Sequence, residues 1–281
     1  MSGTERKLDD GTIAQGIVML SGNGGLVDPV PFMQQDLIGN LNTPYPNTLR
    51  GYVFGKNTNV NNTYADLWQG PTARYVFPLA PQQMQIVSSS ANDTAAGTGV
   101  QSVMIYYLDG NYNEQTEIVA TNGLTPVLTV ATDILRINGM HATKVGTVGG
   151  AAIGNISLTN TAGTITYGYI TATNNSSRSG IYTVPNGYTG YISHWQLSSG
   201  TGSGSHFCQI SMQATCLNGE LFPGVFLTQD EQGSLNNGNA VTLPIPIPVP
   251  ATADVRLSAI SDTGSASATV MGAIMGWFQK N

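Results

Sequence analysis

The sequence predicts an all-β protein: two β-sandwich or jelly-roll-like domains preceded by an irregular N-terminal arm. Three observations carry this. Apolar residues recur with period two over short stretches, the pattern of strands with one buried face. Asx-Gly pairs such as Asp109-Gly110 and Asn122-Gly123 separate those stretches, as hairpin turns do. No segment longer than about two turns carries helical spacing. At 281 residues the chain has room for one large domain or two of about 100–150 residues.

Residues 1–75 read as an extended arm and docking segment. One apolar piece, Thr12 to Leu20, stands out. Asn23-Gly24-Gly25, Asp28-Pro29, Thr43-Pro44-Tyr45-Pro46 and the asparagines 57, 59, 61 and 62 then break every pattern. Phe32, Phe54 and Trp68 are more apolar bulk than a free linker carries, so the segment is expected to lie on a neighbour. The competing reading is that it adds a strand or two to the first domain.

Residues 76–160 read as the first sandwich. Its strands are Met84 to Ser88, Gln101 to Leu108, Glu117 to Thr121, Pro126 to Val130, Ile134 to Asn138 and Gly154 to Leu158. Residues 161–281 read as the second. Its strands are Thr164 to Ile170, Gly180 to Val184, Tyr188 to Leu197, Phe207 to Cys216, Asp254 to Ile260 and a closing stretch from Ala266 to Phe278. Between them Leu243-Pro-Ile-Pro-Ile-Pro-Val-Pro250 places proline at every second position. Residues i and i+2 direct their amides to the same side, so these prolines delete donors along one edge only. Ile245, Ile247 and Val249 keep theirs and aim at one face. The stretch therefore reads as a protected edge strand or a polyproline cap, with a proline-rich ligand as the alternative.

Composition narrows the function. Charged residues make up 9% of the chain against a globular norm of about 25%. The net charge is −6 and the pI about 4.8, which excludes ordinary nucleic-acid binding, since neutralising phosphates takes clustered Lys and Arg. With 41% apolar residues the chain has material for a sizeable core and is not of the disordered class. No apolar run reaches the roughly 18 residues needed to cross a bilayer, and the polar start has no signal-peptide core behind it. Cys208 and Cys216 lie eight residues apart on what reads as one strand, about 26 Å at an extended rise. A disulfide needs Cα atoms within about 7 Å, so both are expected as buried free thiols, consistent with a reducing compartment.

No constellation for chemistry emerges. His141, His194 and His206 show no zinc spacing; a three-ligand set of His206, Cys208 and His194 is conceivable beside three structural histidines. Asp109, Glu114 and Glu117 around one turn offer oxygen ligands for calcium but lack the EF-hand pattern, leaving solvated turn carboxylates as the plainer reading. Gly97-Thr-Gly99 and Gly202-Ser-Gly204 lack the helix and lysine of a phosphate loop. No catalytic residue, metal or cofactor is therefore expected. Tyrosine is in excess, 12 against 7 Phe and 3 Trp, and exposed tyrosines build contact surfaces for proteins or sugars. Tyr188, Tyr191 and Trp195 are the candidate interaction surface, Tyr191 and Trp195 being four apart on one strand face; the same three could instead fill the core. So little charge suits a chain whose faces are covered by neighbours in an assembly.

Ile86-Val-Ser-Ser-Ser-Ala-Asn-Asp-Thr-Ala-Ala-Gly-Thr-Gly99, then Leu108 to Glu114 and Asn122 to Val127, resembles a module of virion structural proteins from tailed bacteriophages, often marine ones. Phe54-Gly-Lys-Asn57 and Asp66-Leu-Trp-Gln-Gly70 are similar to the segment leading into it. Tyr182-Thr-Val-Pro-Asn-Gly-Tyr-Thr-Gly-Tyr191 looks like a hairpin of the same proteins, with Asn186 where Ala is common. The resemblance covers roughly 50–195 and brings no catalytic residues. It implies a virion protein assembled in the host cytoplasm and partnered by the major capsid protein and by copies of itself, without direct contact to nucleic acid or membrane. A capsid decoration or cement protein is the leading expectation. A tail, neck or fibre-attachment protein and a host-glycan-binding module are the alternatives.

Overall fold

In the computed structural model, the described residues are 5–7, 13–15, 48–201, 206–235, 237–262 and 267–281. They contain strands and no helix. Residues Met1–Pro46 form one compact unit, whose described part is an antiparallel pair, β1 (Glu5–Lys7) with β2 (Ile13–Gln15), Arg6 facing Ala14. Residues Asn47–Asn281 form the other unit, and it holds both sandwiches.

The first sandwich packs two sheets. Sheet A is ordered β11 (Thr166–Ile170), β10 (Ile156–Asn160), β5 (Met84–Ser88) and β8 (Val127–Leu128). Sheet B is ordered β7 (Glu114–Ala120), β6 (Val100–Leu108) and β9 (Arg136–Val145). Alternate residues of each sheet, Met84, Ile86, Ile156 and Leu158 against Val103, Ile105 and Ile137, close one core. Each fully buried aliphatic side chain of this kind is worth about 1.5–3 kcal/mol relative to exposure. The hairpin between β6 and β7 turns on Asp109. Its Oδ1 accepts the Asn111 and Asn113 N–H groups at 2.8 and 2.9 Å, and the left-handed residue is Tyr112 at φ 62° rather than Gly110.

The second sandwich also packs two sheets. Sheet C is ordered β18 (Gly238–Val249), β13 (Tyr188–Thr201), β20 (Ala268–Lys280) and β3 (Thr48–Val60). Sheet D is ordered β12 (Ile181–Thr183), β19 (Asp254–Ser261), β14 (Phe207–Ala214) and β17 (Leu227–Leu235), with β4 (Ala65–Asp66) further along the β12 edge of β19. A short hairpin of β15 (Cys216–Leu217) and β16 (Glu220–Leu221) completes the strands of the described residues. Trp195, Leu197, Ile210, Met212, Leu257, Val270 and both cysteines share its core.

Two sequence boundaries differ from this picture. Residues 48–60, expected within the arm, are a strand of the second sandwich, Gly55 facing Gly272 and Thr48 facing Gln279. The expected boundary after residue 160 falls inside a hairpin, because Leu158 pairs with Gly168 and holds β11 in sheet A. The first sandwich is thus an insertion between β4 and β12. The proline-rich stretch is an edge strand of sheet C, with Ile247 and Val249 toward the core. Ile245 departs from the expectation. Thr242 to Ile247 faces only Ile192 to His194, so the strand bulges there and leaves Ile245 80% exposed.

Polar and aromatic groups lock the sandwiches together. Arg136 of β9 pairs with Asp254 of β19, Nε–Oδ1 2.9 Å and Nη2–Oδ2 3.2 Å. Beside it Asn138 exchanges two bonds with the Thr183 backbone, and the Thr183 hydroxyl donates to Asp254 at 2.6 Å. Trp68, Tyr75 and Phe77 run between the domains as edge-to-face pairs at 5.2 and 4.8 Å, with the Arg136 guanidinium over Phe77. Burial pushes the Tyr75 hydroxyl far above its usual range, so it stays protonated and donates to the Tyr167 carbonyl at 3.0 Å.

Candidate interaction surface

Tyr188, Tyr191 and Trp195 all lie on β13, but the strand does not keep them on one face. Between Ile192 and His194 the register slips against both neighbours, leaving Ser193 as an extra residue. A one-residue slip exchanges the faces of everything beyond it. Tyr188, Gly190 and Ile192 therefore share the core side with Trp195 and Leu197, while Tyr191 shares the outer side with His194, Gln196 and Ser198. The expected pairing of Tyr191 with Trp195 on one face does not occur. Trp195 is fully buried, and its indole N–H donates to Asp230 Oδ2 of sheet D at 2.8 Å. Tyr188 packs half-buried against the same core. Of the three, only Tyr191 belongs to an outer surface.

Its companions there come from strands distant in sequence. Tyr191 stacks on Trp277 of β20, ring centroids 5.4 Å apart and planes within 18°. Along β20 the outer positions continue as Met275, Ala273 and Met271, registered against Tyr52, Phe54 and Lys56 of β3. On the other side Pro248, Thr242 and Ala240 of β18 stand level with Tyr191, His194 and Gln196. Tyr52 is 54% exposed. The outer face of sheet C is therefore a four-strand-wide surface of aromatic, methionine and small residues. Lys56 is its only permanent charge among the described side chains. At one end the Tyr191–Trp277 pair makes a ridge. Toward the other, Tyr52, Phe54, Gln196, Ser198, Ala240, Met271 and Ala273 line an open hollow. These companions were missed by sequence reasoning: the odd-numbered positions 271, 275 and 277 of β20 are a signal that could have grouped Met271, Met275 and Trp277, but only the sheet order places Tyr52 and Phe54 beside them.

The loop in the resembling module, 88–99, is bound to its own sandwich rather than loose. Asp93 is fully buried. Its Oδ1 accepts the N–H groups of Val100 and Ile153 at 2.9 and 3.0 Å; its Oδ2 accepts the Gly154 N–H at 2.8 Å and the Ser88 hydroxyl at 2.6 Å. Gly99 has to be glycine, because a Cβ there would meet Asp93 Oδ1 at 2.1 Å. The loop so fixed turns Ser89, Ala91, Asn92, Ala95, Ala96 and Thr98 outward. No sequence signal distinguished this inward carboxylate from an exposed one.

Most of the remaining candidate chemical groups are occupied structurally; Glu114 is exposed at the start of β7, and Gly202-Ser-Gly204 lies outside the described residues. Asp109 caps its turn: burial works against its charge, but the Asn113 and Asn111 N–H bonds outweigh this and hold its carboxyl below the usual range. Glu117 accepts the Val130 and Ala131 N–H groups at 2.6 and 3.0 Å, tying β7 to the segment after β8. His141 lies against Tyr106, His206 pairs with Asp262 at 3.3 Å, and His194 Nδ1 is 3.2 Å from the Ser193 hydroxyl. Cys208 and Cys216 are buried free thiols, and burial pushes Cys216 up to about 11. Among the described residues no group of three His, Cys, Asp or Glu is placed to hold a metal ion.

No family model matches the chain, and no curated protein matches it. Among solved structures, the PBSX exported protein XepA aligns over 93% of this chain and 99% of its own at 10% identity, with a TM-score of 0.18. Infectious bursal disease virus of the Gx strain aligns over 89% and 82% at 10% identity and a TM-score of 0.18. The Gt strain gives 88% and 77%, 9% identity and 0.17. At such scores these alignments carry no argument about function.

Proposed function

We propose that this chain is a non-enzymatic structural component of a tailed-bacteriophage virion, serving as a capsid decoration or cement protein. The observation that carries the reading is the outer face of sheet C, a broad, largely apolar surface whose described side chains carry a single permanent charge, Lys56, on a pair of interlocked sandwiches. A patch of this kind, on a chain with 9% charged residues, is suited to burial against neighbours. The sequence resemblance over residues 50–195 supplies the setting. The protein would act by bridging capsomers and burying surface at their seams, with the major capsid protein and copies of itself as partners and no bond made or broken. The inter-sandwich locks suit that role, since a brace that flexed would transmit little load.

Quantifying the protein against the major capsid protein in purified particles tests this. A large fixed ratio is expected. A handful of copies per particle would move the protein to the tail or neck and overturn the cement reading. A host-glycan-binding role is the second reading, favoured by the half-exposed Tyr191–Trp277 pair beside the neutral hydrogen-bonding groups of Gln196 and Thr242.

A further inference from the structure

We infer that the outer face of sheet C is a homotypic interface, on which a second copy of the chain seats about a two-fold axis lying across the strands at the level of Met275. The inference rests on the assembly reading above and names the partner for this face.

Size is the first argument. The four strands lie about 4.8 Å apart and the shortest has 12 residues, so the face spans about 19 by 40 Å, or about 750 Å² per copy. Two such faces bury about 1,500 Å², the standard area of a specific protein complex. Composition is the second. Among the described side chains Lys56, on edge strand β3, is the one permanent charge, and the outer positions of the two central strands, β13 and β20, carry none, so the middle of the contact desolvates no permanent ion. A partner chosen by charge would have little to read here.

The third argument is shape. Tyr191 and Trp277 form the ridge at one end of β13 and β20; Gln196, Ser198, Ala273 and Met271 border the hollow toward the other end of the same two strands. Trp277 and Ala273 are about 13 Å apart at strand rise, and Met275 stands midway. A two-fold axis in the plane of the face and perpendicular to the strands reverses strand direction. It carries the ridge of each copy onto the hollow of the other. An isologous contact needs this self-complementarity, in which one patch contains both knob and socket.

Sedimentation equilibrium of the purified full chain tests the inference. The wild type is expected to be a dimer at micromolar concentration. Met275→Lys sets two like charges beside the axis and should weaken the dimer at least tenfold. Gln196→Arg, at an exposed position bordering the hollow, should act in the same direction while circular dichroism shows the wild-type fold. Val130→Lys, on the other sandwich and 88% exposed, should leave the dimer unchanged. A monomer at these concentrations, a dimer indifferent to both face substitutions, or a glycan that occupies the face and is lost with Met275→Lys would overturn the inference. A monomer present in particles in fixed ratio to the major capsid protein would overturn self-pairing alone. A dimer through this face found in only a handful of copies per particle would overturn the cement reading alone.

Discussion

Arg136 of the first sandwich and Asp254 of the second meet in a two-pronged ion pair, both ends of which are largely shielded from water. Asp254 Oδ1 also receives the Thr183 hydroxyl, and Arg136 donates to the Pro78 carbonyl, so one salt bridge ties both connections between the domains. Arg136→Ala leaves a buried carboxylate without its cation, a loss of about 3–5 kcal/mol. Urea unfolding should then separate into two transitions, one per sandwich. An unchanged single transition would contradict the lock.

Asp93 offers a sharper case. Asp93→Asn keeps the volume but replaces one acceptor oxygen with an NH2 group that confronts backbone N–H donors. The expected cost is about 3 kcal/mol, spread over several charge-assisted bonds. Hydrogen exchange should speed up first at the Val100, Ile153 and Gly154 amides. Uniform exchange across the chain would show that the carboxylate is not the anchor of loop 88–99.

The tryptophans report on the faces of sheet C. Trp195 and Trp68 are buried, whereas Trp277 is half-exposed on the outer face. Iodide should quench only part of the emission of dissociated protein, and Trp277→Phe should remove that part. If the quenchable fraction survives Trp277→Phe, the assignment of faces along β13 and β20 is wrong.

The Cys216 thiol makes a pH prediction. Its pKa is raised from 9.0 to about 11 by burial, so the folded chain holds a proton that the unfolded chain gives up earlier. The neutral form is shared by both states below pH 9, and stability falls as pH climbs from about 9 toward 11. Cys216→Ser should flatten that alkaline slope. Both thiols should ignore a disulfide reagent at pH 8 until the chain is unfolded.

What the sequence could and could not reveal follows from the range of the forces involved. Alternation and turn residues are local, and they locate Met84–Ser88, Val100–Leu108 and Phe207–Ala214 closely. The proline-rich edge strand is legible for the same reason, since proline acts on its own backbone. Pairing is not local. Nothing near residues 48–60 states that they belong beside 268–280, and an Asn-rich, glycine-broken stretch looks like an arm until a distant strand supplies its hydrogen bonds. The face of Trp195 was lost to one extra residue at Ser193, which leaves no compositional trace. Tyr191 was found by excess of type; Trp277, Tyr52 and Phe54 needed the sheet order.

The pairing of β3 with β20 also dictates when the molecule can be finished. The inserted sandwich closes on itself once β11 has been synthesised, because every strand of sheets A and B lies between Met84 and Ile170. Sheet C has to wait, because the whole insert and the rest of the outer sandwich are synthesised between β3 and its hydrogen-bonding partner β20. Until then β3 lacks the strand that holds it, and its glycines and asparagines, which made it resemble a linker, give it little strand propensity of its own. An order of synthesis is thereby written into the topology: the insert first, the outer sandwich only after its final strand arrives.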